Sequence, residues 1–210
     1  MAVAADAPAV TPSLDEVRAL AREHNLIPLR HSFIDDCETP VSAFLKLRED
    51  GPAFLLESAD QGQRVGRYSF IGFRPREVIR WSLGDPGDPY EIAAAAVARH
   101  RQAPLPDLPP FAGGAVGVFG YDLVRTVEPL GEPNPDPLGV PDLALMLTDV
   151  LVVFDHLKHT VSVLANVYAE DEVDAAYAAA RDAIADVRWR LAGPVPQARH
   201  APDPARVMPS

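Results

Sequence analysis

LALMLTDVLVVFDHLKHTVSVLANV, residues 143–167, is the stretch that decides the fold. Leu143 to Asp155 is rich in Leu and Val and reads as one long strand. His156 to His159 is polar, and Thr160 to Val167 is a second β-prone run. Two such runs across a short polar turn form an antiparallel hairpin.

The same pairing recurs upstream. In FLLESADQGQRVGRYSFIG, residues 54–72, an apolar run ends at Leu56, a polar loop spans 59–66, and Arg67 to Ile71 starts a returning strand. Glu77 to Trp81 is expected to continue that sheet as a third strand, and Ile27 to Phe33 alternates well enough for another. Helices fall between these runs. Ser13 and Glu16 have capping-box spacing before Leu14, Val17, Leu20 and Ala21, with Asn25 as the expected C-cap. Thr39-Pro40 opens a second helix, closed by Gly51-Pro52. The Ala-rich run Tyr90–Arg101 predicts a third, and Tyr121–Val127 a short one. After Asp171, a last helix over Glu172–Leu191 carries Val173, Ala176, Ala180, Ile184, Val187 and Leu191 on one face.

Hairpin strands with inserted helices favour an α+β fold, with a mostly antiparallel sheet and flanking helices. The chain divides into a lead and first helix (1–25), a main domain (26–168), a C-terminal helix (169–192) and a tail (193–210). That tail holds five prolines and reads as a linker.

Composition narrows the function. With 48% hydrophobic and 23% charged residues the chain is globular in character. A net charge of -11 argues against nucleic acid and anionic membranes as partners. No apolar run reaches the ~20 residues of a membrane span, and Met1 to Glu16 lacks the basic and apolar regions of a signal peptide, so a cytoplasmic protein is expected. The single cysteine, Cys37, cannot form an internal disulfide and reads as filler near a helix start.

Few stretches carry chemistry. The glycines at 113, 114, 117 and 120 match neither a phosphate-binding loop nor a dinucleotide turn, and a strand packed tightly against another layer is expected there. His156 and His159 flank a solvated turn with no obvious third metal ligand, and Asp35-Asp36 reads as helix entry. There remain Glu57, Ser58 and Arg67: a carboxylate and a hydroxyl at a strand end, with a guanidinium on the next strand directed back at them. That set suits a small zwitterion whose ammonium meets the carboxylate and whose carboxylate meets the hydroxyl or guanidinium. It also suits a surface hairpin with an incidental ion pair.

FLLESADQGQRVGRYSFIG, PPFAGGAVGVFGYDLVRTVEPL and PDLALMLTDVLVVFDHLKHTVSVLANV occur in this order, after ETPVSAFLKL. Together they resemble the N-terminal region of the anthranilate synthase component I family, over about Leu26 to Leu191. The resemblance implies the N-terminal half of a larger two-layer fold, with an L-E-S segment that helps bind L-tryptophan as feedback inhibitor. Its site residues here would be Leu56, Glu57 and Ser58, with Arg67 as the basic residue of the next strand. It implies that the chorismate pocket and its Mg2+ carboxylates lie in a C-terminal half, so no catalytic or metal residue, and no cofactor, is assigned to this chain. The full enzyme would convert chorismate and ammonia to anthranilate and pyruvate, with a glutamine amidotransferase subunit as partner. By itself this chain would be inactive. Its Leu143–Phe154 face would be partly uncovered, making it marginally stable or self-associating. The aminodeoxychorismate or salicylate branch, and a stand-alone amino-acid-binding module, are the rival readings.

Overall fold

A computed structural model describes residues 8–57, 66–131, 135–170 and 172–196. In chain order the elements are α1 (Leu14–Leu20), β1 (Leu26–Ile34), α2 (Pro40–Leu47), β2 (Ala53–Leu56), β3 (Tyr68–Phe73), β4 (Glu77–Trp81), α3 (Pro89–Ala98), β5 (Gly114–Phe119), a 3-10 helix (Tyr121–Thr126), β6 (Leu143–Thr148), β7 (Val150–Asp155), β8 (Thr160–Tyr168) and α4 (Val173–Leu191).

Among the described residues the strands form two sheets, ordered β1-β8-β7-β3-β2 and β4-β6-β5, with antiparallel neighbours throughout. The α+β class expected from the sequence is therefore the one observed. Two expectations are corrected. The run Leu143–Asp155 is not one strand: it breaks at Asp149, so β6 lies in the small sheet and β7 in the large one. Glu77–Trp81 does not extend the sheet of β2 and β3 but pairs with β6. One cause underlies both, because a strand that changes sheets needs neighbours of its own on each side of the break.

The large sheet is buried on both faces. One face, with Ile27, Leu29, Ile71, Val152 and Val163, packs under α1, α2 and α4. The other, with Leu151, Val153 and Leu164, is covered by Leu108, Phe111 and Ala112. β7 is consequently buried along its whole length, which corrects that part of the expected partly uncovered Leu143–Phe154 face, while Ala144 and Met146 of β6 stay half-buried. The apolar surface left open belongs to the small sheet, at Val118 and Phe119.

Local chemistry explains the helix ends. The Ser13–Glu16 capping box is formed reciprocally. Thr39 and Ser42 form a second one, with Pro40 in the first turn. Asp88 accepts from Tyr90 N and Glu91 N, which starts α3 at Pro89. The helix stops at Ala98 rather than Arg101. Beyond it the backbone pairs with the start of β1, through Asn25 N and Leu26 N to Arg101 O and Ala103 N to Leu26 O. Asn25 does not cap α1, whose C-cap is Ala21; its side chain donates to Arg99 O and Glu170 and accepts from Arg101 N. The expected lead is tied down at Thr11, which exchanges two backbone hydrogen bonds with Arg30. Asp171 lies outside the described residues.

The helix layer is locked by charge. Lys46 on α2 pairs with Glu38, with both side chains nearly buried, and also donates to Leu191 O at the end of α4 (2.8 Å).

At Gly117 the close approach is to the neighbouring strand rather than to another layer. A Cβ there would lie 1.9 Å from Ala144 O. Gly117→Ala must push β5 away from β6, so we expect a loss of about 2 kcal/mol, measured as a lowered denaturant midpoint with an unchanged slope.

Candidate functional site

Three strand ends meet where the sequence points to a zwitterion site. β2 ends at Leu56, β3 begins at Tyr68 just after Arg67, and β7 ends at Asp155. Leu56 lies opposite Phe70, and Tyr68 opposite Asp155. Directly opposed residues share a sheet face. Leu56 therefore stands on the face where Phe54, Tyr68 and Phe70 pack against Leu151, Val153 and Leu164. Phe70 meets Phe111 edge-on at 5.9 Å. The wall is aromatic and open at its rim, where Leu56 is 46% exposed. Glu57 follows it and is exposed. Ser58 lies outside the described residues.

Arg67 is not directed back at Glu57. Its guanidinium grips Asp155 through both carboxylate oxygens, Nε to Oδ1 at 3.0 Å and Nη2 to Oδ2 at 2.6 Å. It also lies over the Tyr68 ring, 4.7 Å from its centroid. Asp155 accepts two further hydrogen bonds, from Leu157 N and Lys158 N, and so fastens the tip of the β7–β8 hairpin. Opposite charges in a bidentate pair largely cancel. The arrangement therefore offers an ammonium an exposed carboxylate and an apolar wall but, among the described residues, no guanidinium that is free of a competing acid.

Among the described residues no group of three or more His, Cys, Asp or Glu could hold a metal ion. His156 instead shares a hydrogen bond with Ser69 Oγ (2.8 Å). The Mg2+ implied by the resemblance finds no such ligand set among the described residues.

The Arg67 guanidinium, more than any other group, holds the Asp155 carboxyl below its ordinary value. A depressed folded-state pKa adds stability above the unfolded pKa of about 4. That stability is lost as pH falls through the lower folded value. Asp155→Asn should therefore lower Tm at pH 7 and converge on the parent in strong acid, as thermal melts across pH would show.

A second polar cluster sits at the junction of the sheets, and the reading of the sequence missed it. Its signal was Thr148-Asp149 inside an otherwise apolar run. Thr148 O accepts from Tyr168 OH and Asn166 Nδ2 (both 3.3 Å), and Asn166 N donates to Asp149 O (3.1 Å). The Arg76 guanidinium stacks 3.8 Å from the centroid of the Tyr168 ring, and His100 meets the same ring edge-on. Burial pushes the Asp149 carboxyl up to about 6, against the pull of Arg76. The folded state then binds a proton more tightly than the unfolded chain. Its contribution to stability is greatest below about pH 4 and is lost as pH rises through about 6. At pH 7 Asp149→Asn should melt higher than the parent, and the gap should close toward pH 4; equal melts at both pH values would refute this.

The model for the chorismate binding enzyme family matches residues 51–209. The chain is 37% identical to anthranilate synthase component 1 of Acetivibrio thermocellus over 86% of its own length and 41% of that protein. It is 38% identical to the component 1 of Streptomyces coelicolor over 94% of its own length and 36% of that protein. It thus spans about two fifths of the length of the curated relatives it matches. Among solved structures it resembles anthranilate synthase component I from Streptococcus pneumoniae TIGR4. That match has a TM-score of 0.51 and 25% identity, over 74% of this chain and 36% of the other.

Proposed function

The chain belongs to the chorismate binding enzyme family, and on that ground we propose that it forms the N-terminal, tryptophan-sensing part of an anthranilate synthase component I. The observation that carries this reading is the exposed Glu57 carboxylate at the end of β2, beside the open rim of the Leu56–Phe70–Tyr68 wall. Glu57 would meet the ammonium of L-tryptophan, the wall its indole, and Ser58 its carboxylate. Burying an indole contributes roughly 2–3 kcal/mol. Arg67 takes part only by yielding some of its bond to Asp155.

Under this reading the rest of component I carries the chorismate and Mg2+ chemistry, and a glutamine amidotransferase subunit supplies ammonia, in the cytoplasm. The surface ready for that remainder is the second face of the small sheet. Val78, Val116 and Met146 are cross-strand neighbours there and only half-buried. Bound tryptophan would act by favouring one arrangement of the two halves.

Calorimetric titration of L-tryptophan into the purified chain tests the reading. We expect saturable binding, weakened at least about tenfold in Glu57→Gln, the loss of one charge-assisted contact. Ser58→Ala should weaken it too. Absence of saturable heat in a folded sample, or affinity indifferent to Glu57→Gln, would overturn it.

A further inference from the structure

At one end of the small sheet the molecule exposes an aromatic and aliphatic patch inside an acidic rim. Tyr121 is 92% exposed, Leu138 81%, Val127 68%, Val140 59% and Phe119 51%. The backbone brings the segments that carry Phe119, Tyr121 and Val140 together. Phe119 stacks on Tyr90 of α3, with ring centroids 6.0 Å apart. Gly120 N donates to Asp142 O, and Leu83 N donates to the Asp142 carboxylate, so the end of β5, the turn after β4 and the segment before β6 are joined. Arg125 reaches from the 3-10 helix to Gly131 O and holds that residue against it.

The charge around this patch is one-sided. The described residues of segments 82–91 and 118–142 include seven Asp and Glu and a single basic residue, Arg125. Arg125 is itself paired with Asp122 at 2.9 Å. Several of the acids serve local structure. Asp88 caps α3, and Asp136 accepts from Leu138 N and Gly139 N. Those bonds orient the carboxylates without removing their charge.

Exposed apolar patches with polar rims mark interaction sites. The rim selects the partner. A second copy would bring acid against acid, and an anionic membrane would be repelled in the same way. We propose that this face docks a separate polypeptide whose contact surface is apolar at its centre and rich in Lys and Arg at its edge. Tyr121 and Phe119 supply the apolar contact, and acids such as Glu91 and Glu128 supply steering. The proposal rests on the fold and charge alone and is independent of tryptophan binding.

The test uses two synthetic amphipathic helical peptides as probes, one of Leu and Lys and one of Leu and Glu, titrated into the intact chain. The Leu/Lys peptide should bind and weaken as salt is raised, while the Leu/Glu peptide should not bind. Tyr121→Glu and Leu138→Glu, both at highly exposed positions, should each cut Leu/Lys binding at least about tenfold, as for a central interface contact. Glu91→Gln with Glu128→Gln should flatten the salt dependence. Circular dichroism melts matching the parent would establish that these variants fold. Failure of the Leu/Lys peptide to bind, or binding untouched by both Glu variants, would overturn the proposal. So would a sedimentation-detected dimer of the chain that Tyr121→Glu abolishes, since the occupant would then be a second copy.

Discussion

The passage of the backbone from one sheet to the other at Asp149 is the constraint on which the rest of the architecture depends. β6 and β7 follow each other with one residue between them, so neither sheet can shift without carrying the other. The large sheet gains a central strand buried on both faces, and the small sheet gains the strand that joins β4 to β5. Polar groups must be satisfied where the strand leaves its first partners. Tyr168 and Asn166 do this by donating to Thr148 O, and Asn166 N by donating to Asp149 O. The polar seam is thus the cost of joining two sheets with a continuous chain, and its raised carboxyl is a direct result of burial.

What could be read from the sequence follows the range of the interactions involved. Capping boxes and hairpin turns are settled within a few residues, which is why Ser13–Glu16, Thr39-Pro40 and the hairpin after Asp155 could be seen in the letters alone. The break at Asp149 could not be weighed in the same way. Leu143–Thr148 and Val150–Asp155 are equally good strand sequences, and only their partners differ. Glu77–Trp81 was misplaced for the same reason, because its choice of β6 over β3 depends on residues far along the chain.

The candidate site divides along the same line. The end of β2 at Leu56 and the exposure of Glu57 follow from local pattern. The orientation of Arg67 does not, because its partner Asp155 is 88 positions away in sequence. Family resemblance pointed to this segment, but it could not show that the guanidinium would be held by an acid from the neighbouring strand.

Asp155 holds two things at once: the guanidinium of Arg67 and the backbone N–H groups at the tip of the β7–β8 hairpin. Whatever draws Arg67 away leaves this carboxylate with the turn alone. Whatever distorts the turn alters the hold on Arg67. The hairpin tip and the entrance to the β2–β3 wall therefore share one acceptor oxygen, Asp155 Oδ1, so a change at one is felt at the other through competition for that oxygen rather than through any movement of the sheet.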